Sequence, residues 1–224
     1  MSIRLSAHDR RQQIMQVATG LFARQGFQGT TTREIAGHAG VNEALLFRHF
    51  STKETLYWTI IEKLCSARGR RQRVTGILKA GGNDLEVFTA VAREFLVRTP
   101  RDTELTRLLW FTALENHTLS DRFFRTYIAV YYDALADYIR ERVKQGAFRR
   151  VDPLLAARGF LGMVIYHFLV QELFGAEKYQ KFDAEEVAGT LAAIWLAGMQ
   201  SAKTEGNGAN GHRPRPAKRK KIRQ

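Results

Sequence analysis

Apolar residues recur along this chain with helical spacing almost throughout, and no strand-like alternation lasts beyond a few residues. Ile14, Val17, Ala18, Leu21 and Phe22 form the stripe of a first amphipathic helix. Gly26 ends it, because glycine takes up the left-handed turn after a helix at little steric cost. Thr31-Thr32-Arg33-Glu34 reads as a capping box that opens a short helix, with Ile35, Ala36 and Ala39 inward and Gly40 at its close. Asn42 is a fair N-cap for a third short helix running to about Phe50. A second capping box, Ser51-Thr52-Lys53-Glu54, opens a longer helix carrying Leu56, Ile60, Ile61 and Leu64. Two short helices separated by a glycine turn and packed on a preceding amphipathic helix are the anatomy of a helix-turn-helix.

Between Arg68 and Asn83 four glycines weaken the pattern, and the domain junction is expected there. Beyond it the sequence predicts a helix capped by Asp84, another over about 102–116, and a long one from Ser120 to about Gln145 closed by Gly146. Asp152-Pro153, an N-cap followed by proline at the first helical position, opens a helix that is apolar nearly all round until Gly175. Asp183 opens the last. Past Lys203 Gly, Asn and Pro dominate and disorder is expected. The chain therefore reads as all-α. A helix-turn-helix DNA-binding domain spans 8–57, with a connecting helix to about 68. A helical ligand-binding and dimerisation domain spans 84–202, and a basic tail 203–224.

Charge sharpens this division. Residues 1–73 hold 12 Lys/Arg against 5 Asp/Glu, residues 74–211 hold 16 against 17, and residues 212–224 hold seven basic residues and no acidic one. The two ends are built for a polyanion and the middle is not. The single cysteine, Cys65, excludes an internal disulfide framework and fits a reducing compartment. The longest apolar run, Phe160 to Val170, is short of the roughly 20 residues that span a bilayer. The first residues lack the apolar core of a secretion signal. A cytoplasmic protein is expected, with no membrane partner. There is no Gly-x-Ser-x-Gly elbow, no phosphate-binding loop and no His-Glu-x-x-His, so neither an enzyme, a cofactor nor a metal site is expected.

Residues 9–57 resemble the tetracycline-repressor-like (TetR/AcrR) family of bacterial transcription regulators. The matching pieces are Leu21-Phe22-Ala23-Arg24-Gln25-Gly26-Phe27, Thr31-Thr32-Arg33-Glu34-Ile35-Ala36, Ala39-Gly40-Val41, and the run Leu46 to Tyr57. The resemblance implies an all-helical homodimer that binds an operator with its N-terminal half and senses a small molecule with the other. In a helix-turn-helix the second helix enters the major groove. That assigns Glu43, Ala44, Phe47 and Arg48 to the base edges. Arg48 can pair with guanine or take a phosphate. Glu43 can accept from cytosine or orient Arg48. His49 can donate to a phosphate, and Asn42 flanks the helix. Phe47 stands where the family usually has tyrosine, and Ala44-Leu45 also departs from its usual pair. Thr31 or Thr32 with Arg33 offers a phosphate contact at the start of the motif. Lys53, a cation in the first turn of a helix, makes sense if a phosphate lies beside it.

In the second half, Phe123, Tyr127 and Tyr131 share one face of the long helix, and Trp110, Phe111 and Leu114 lie on the preceding one. Such stripes are commonly plain core. The resemblance raises a ligand pocket walled by them, with polar anchors from Glu115, Asn116, His117 or His167. Phe160, Met163, Val164 and Phe168 on one helix, with Val187, Leu191, Ile194 and Trp195 on the next, exceed what a small bundle buries and are expected at a dimer interface. The expected function is a dimeric, sequence-specific transcription regulator. In the main reading it is a repressor released from a palindromic operator by an apolar or aromatic small molecule. The alternative is a DNA-binding protein without such an effector, acting in chromosome organisation or through protein partners.

Overall fold

The computed structural model describes residues 5–66, 69–97, 100–115 and 118–200. The tail expected beyond Lys203 lies outside them, as do the candidate anchors Asn116 and His117. The described residues form eleven α-helices: α1 (Ala7–Gly29), α2 (Thr32–His38), α3 (Glu43–His49), α4 (Lys53–Ser66), α5 (Arg70–Ala80), α6 (Asp84–Leu96), α7 (Pro100–Leu114), α8 (Thr118–Phe123), α9 (Ala129–Lys144), α10 (Pro153–Glu172) and α11 (Ala184–Met199). A π-helical turn, Phe124–Ile128, joins α8 to α9. Among the described residues the only β pairing is an isolated bridge between Phe148 and Gln200.

The helix starts follow the local chemistry of their caps. Thr31 accepts the Glu34 N–H, Asn42 the Leu45 N–H, and Asp152 the Leu155 N–H, each satisfying a donor the first turn leaves open. Three boundaries differ from the sequence expectation. Thr52, not Ser51, caps α4 by accepting the Thr55 N–H. Asn83, not Asp84, caps α6, and Asp84 instead receives the Arg142 guanidinium and the Tyr138 hydroxyl. The glycine-containing stretch after Arg68 still forms α5, because Val74 is buried in the second core and Arg70 and Arg73 bind α6 at Glu94.

Two apolar cores result. The first gathers α1 to α4 around Phe22, Phe27, Leu46, Phe50 and Tyr57, and takes in Leu105, Leu108 and Leu119 of α7 and α8. The second packs α5, α6, α9, α10 and α11 around Phe88, whose ring meets Phe160 edge-on at 4.9 Å and stacks on Trp195 at 4.4 Å. Aromatic pairs of this kind contribute about 0.5–1.5 kcal/mol beyond the area they bury. The regular turns of α1 stop at Gly26, which adopts φ +77°.

Two of the residues expected at a dimer interface, Phe160 and Val164, belong to this core, and Met163, Leu191 and Trp195 pack against it. Phe160 and Val164 are fully buried within the protomer, and Phe168 and Val187 nearly so. Met163, Leu191 and Trp195 are half-buried, and Ile194 alone of the eight is exposed. The reason is that α10 is apolar on every side, so composition could not say which face turned inward. With 20 residues and a mean hydropathy of 1.5, α10 also has the length and apolarity of a membrane span. One of its faces is taken by the second core.

Candidate functional site

The reading head presents one edge of α2 and α3 to solvent. Thr31, Arg33, Asn42, Ala44, Phe47 and Arg48 are exposed there, whereas Leu46 and Phe50 anchor α3 to the core. Thr32 and Glu43 are joined: the Thr32 hydroxyl donates to the Glu43 carboxylate at 2.6 Å, across the turn between the two helices. Glu43 is thus positioned by Thr32. The C-terminal end of α3 is held by α1, since Arg11 donates to the His49 carbonyl at 2.7 Å and its guanidinium lies 4.2 Å from the Phe50 ring. Glu34 accepts from the Gln25 side chain at 2.8 Å and fixes α2 to α1. Arg48 and Phe47, both exposed on this edge, are side-chain types able to meet guanine N7/O6 and a thymine methyl in a major groove.

Lys53 has another role than the one its position suggested. Its ammonium donates to the carbonyls of Phe27 and Thr30, both at 3.0 Å, and sits 4.3 Å from the Phe27 ring. It closes the end of α1, where carbonyls lack intrahelical partners. The negative end of a neighbouring helix thus suffices to account for a cation at the start of α4.

A second feature lies between the two cores: a cavity of about 750 Å³. Its walls come from α4 (Trp58, Ile61, Cys65), the start of α5 (Arg70, Arg71), α6 (Phe95), α7 (Leu109, Trp110), the π-turn with α9 (Phe124, Tyr127, Tyr131, Tyr132), and α10 (Leu161, Ile165, Phe168). Four of the expected pocket residues line it, namely Trp110, Phe123, Tyr127 and Tyr131. The other four do not. Phe111 packs under Gly26, Leu114 is 79% exposed, and His167 meets the Phe182 ring at 5.8 Å, where burial holds its imidazole below the usual pKa. Glu115 accepts the Gln28 N–H at 3.1 Å, and a Cβ on Gly26 would stand 2.2 Å from its carboxylate. The walls from α4, α5 and α6 were not foreseen, because only tertiary packing brings those helices to the aromatic face. At one side Tyr57 donates to the Leu108 carbonyl at 2.8 Å and is hydrogen-bonded to the Thr112 hydroxyl. Burial pushes the Tyr57 hydroxyl up to about 12, so it stays neutral. The π-turn opens the helix backbone at this wall, a distortion frequent at functional sites.

This architecture is that of a helix-turn-helix DNA-binding protein with a helical C-terminal half. Residues 14–58 match the model for bacterial regulatory proteins of the tetR family, and residues 85–197 match the AefR-like transcriptional repressor C-terminal domain. The nucleoid occlusion factor SlmA of Vibrio atlanticus is 32% identical over 182 residues, covering 79% of this chain and 91% of that protein. An HTH-type transcriptional regulator of Mycobacterium bovis is 45% identical over 51 residues, 23% of this chain and 27% of its own. Among solved structures, a transcriptional regulator from Pseudomonas aeruginosa superposes with a TM-score of 0.66 at 19% identity, covering 87% of this chain and 92% of that one. AibR, solved with isovaleryl coenzyme A and operator DNA, superposes at 0.63 with 24% identity, covering 83% and 97%. The chain belongs to the TetR family of transcriptional regulators and is a dimeric DNA-binding protein.

Proposed function

We propose that this protein is a transcriptional repressor whose affinity for a palindromic operator is set by a small molecule bound between its two cores. The cavity of about 750 Å³ carries this reading, since it has the size and largely apolar walls of a ligand site. Likeness of residues 85–197 to a repressor C-terminal domain supports repression. Arg48, Phe47, Ala44 and Glu43 address base edges. Thr31, Arg33, Asn42 and His49 address the backbone, and Thr32 holds Glu43. Such a target places the protein in the cytoplasm.

Dimerisation uses the outward faces of α10 and α11. Leu155, Gly159, Gly162 and Tyr166 form one exposed stripe, and Thr190, Ala193, Ile194 and Ala197 another. A Cβ added at Gly159, Gly162, Gly189 or Gly198 would meet nothing within 4 Å in the protomer, so their smallness serves a close-approaching partner helix. Two such pairs related by a two-fold axis make a four-helix interface. Dimeric heads read half-sites about 34–36 Å apart. A ligand lowers DNA affinity only by preferring a dimer with another spacing. Two elements carry the coupling. Helix α4 runs from the head to the cavity wall, and α7 carries Trp110 at the cavity and leads to Glu115 beneath Gly26.

A second reading has its own observation. The 32% likeness over four-fifths of the chain is to a nucleoid occlusion factor. In this reading the DNA-binding dimer needs no small molecule and acts in chromosome organisation or through protein partners. One experiment separates them. Operator sequences are selected from random duplexes, and the selected complex is then challenged with a small-molecule library. Release by a compound supports the effector reading; undiminished binding throughout supports the second.

A further inference from the structure

The charge inventory of the cavity is one-sided. Arg70 and Arg71 line it, and none of its described lining residues is Asp or Glu. The remaining polar groups are Gln72, Cys65 and hydroxyls, including Thr106, Thr126 and Tyr131. Arg71 is exposed and Arg70 half-buried, so the basic side is the end that meets water. Arg70 is fixed there: its Nε donates to the Glu94 carbonyl at 2.7 Å and its guanidinium lies 5.2 Å from the Phe95 ring. The Glu94 carboxylate beside it is occupied by Arg73, with contacts of 2.8–2.9 Å. Desolvation lowers the Arg70 pKa below its ordinary value, so an incoming negative charge would be favoured.

We propose that the occupant of this cavity is an amphipathic carboxylate, its apolar body against the aromatic walls and its anionic end at Arg70 and Arg71. This rests on the effector reading of the same cavity. Aromatic faces alone would also attract a cation. A cation here would meet two like charges at the open end, with no carboxylate among the described wall residues to pair with. A neutral body would fill the apolar part and forgo the charge-assisted hydrogen bonds that guanidinium gives a carboxylate.

The test compares three probes of equal chain length, decanoate, decanol and decylammonium, on the full-length protein. Trp58 and Trp110 in the walls report occupancy by fluorescence, and melting temperature is a second readout. Decanoate is expected to bind roughly tenfold or more tightly than decanol, and decylammonium weakest. Arg70→Gln combined with Arg71→Gln is expected to bring decanoate down to the level of decanol while decanol is unchanged. The unchanged decanol affinity shows that the variant still folds, and Arg70→Lys is expected to restore part of the preference. Equal binding of the three probes, or a preference for decylammonium, overturns the anionic assignment and leaves an effector cavity standing. If none binds, the assignment also falls. A compound of another class that releases DNA would then still support the effector reading, and a library without a hit would end both.

Discussion

Lys53 and Arg48 are cations of the same reading head, and their surroundings divide their roles. Arg48 is exposed at the free edge of α3, while Lys53 is bound to the Phe27 and Thr30 carbonyls. Arg48→Ala is therefore expected to cost about 1–3 kcal/mol of binding to the selected operator, with less loss on random duplex, measured by competition titration at fixed salt. Lys53→Met is expected to lower folding stability by about 1–3 kcal/mol in urea unfolding, because two carbonyls lose a charged donor. Unaltered stability with weakened DNA binding would restore the phosphate role that its sequence position suggested. Gly26→Ala is expected to destabilise by a similar amount, since φ +77° disfavours a side chain and its Cβ would run into Glu115. The glycine's place at a helix end was legible from local pattern. Glu115 beneath it was not, being 89 residues away in the chain.

At the level of helices, the sequence was most informative where a cap or an amphipathic stripe defined the element. Thr31, Asn42, Asp152 and Asp183 open helices where expected. It was least informative on α10, whose apolar surface is divided between a buried face with Phe160 and Val164 and an exposed one with Leu155 (69%) and Tyr166 (68%). Choosing between those faces requires knowing where α6 and α11 pack. The π-turn at Phe124–Ile128 was invisible for a related reason: periodicity counts apolar positions and does not register one extra residue in a turn. Tyr166→Glu with Ile194→Glu is expected to convert the dimer to monomer in sedimentation analysis with the helical content retained, since both residues are exposed in the protomer. A dimer that survives both charges would move the interface elsewhere.

Across the whole molecule, charge is segregated by task, with basic ends and a near-neutral middle. Removing residues after Lys203 is expected to weaken DNA binding and to reduce its log–log salt slope by up to about six, without altering the preferred sequence. Titration of the truncated chain over a salt series checks this, and an unchanged slope would dismiss the arm. The division into two cores does not follow the expected domain boundary, because Leu105, Leu108 and Leu119 of the C-terminal half complete the packing around Tyr57. Arg107 likewise donates to the Ala23 carbonyl at 2.8 Å. The consequence is that this DNA reader is not a transplantable module. Residues 1–66 expressed alone would expose the groove that α7 fills, and a chimera joining them to a foreign sensor would have to import α7 and Glu115 together with the head.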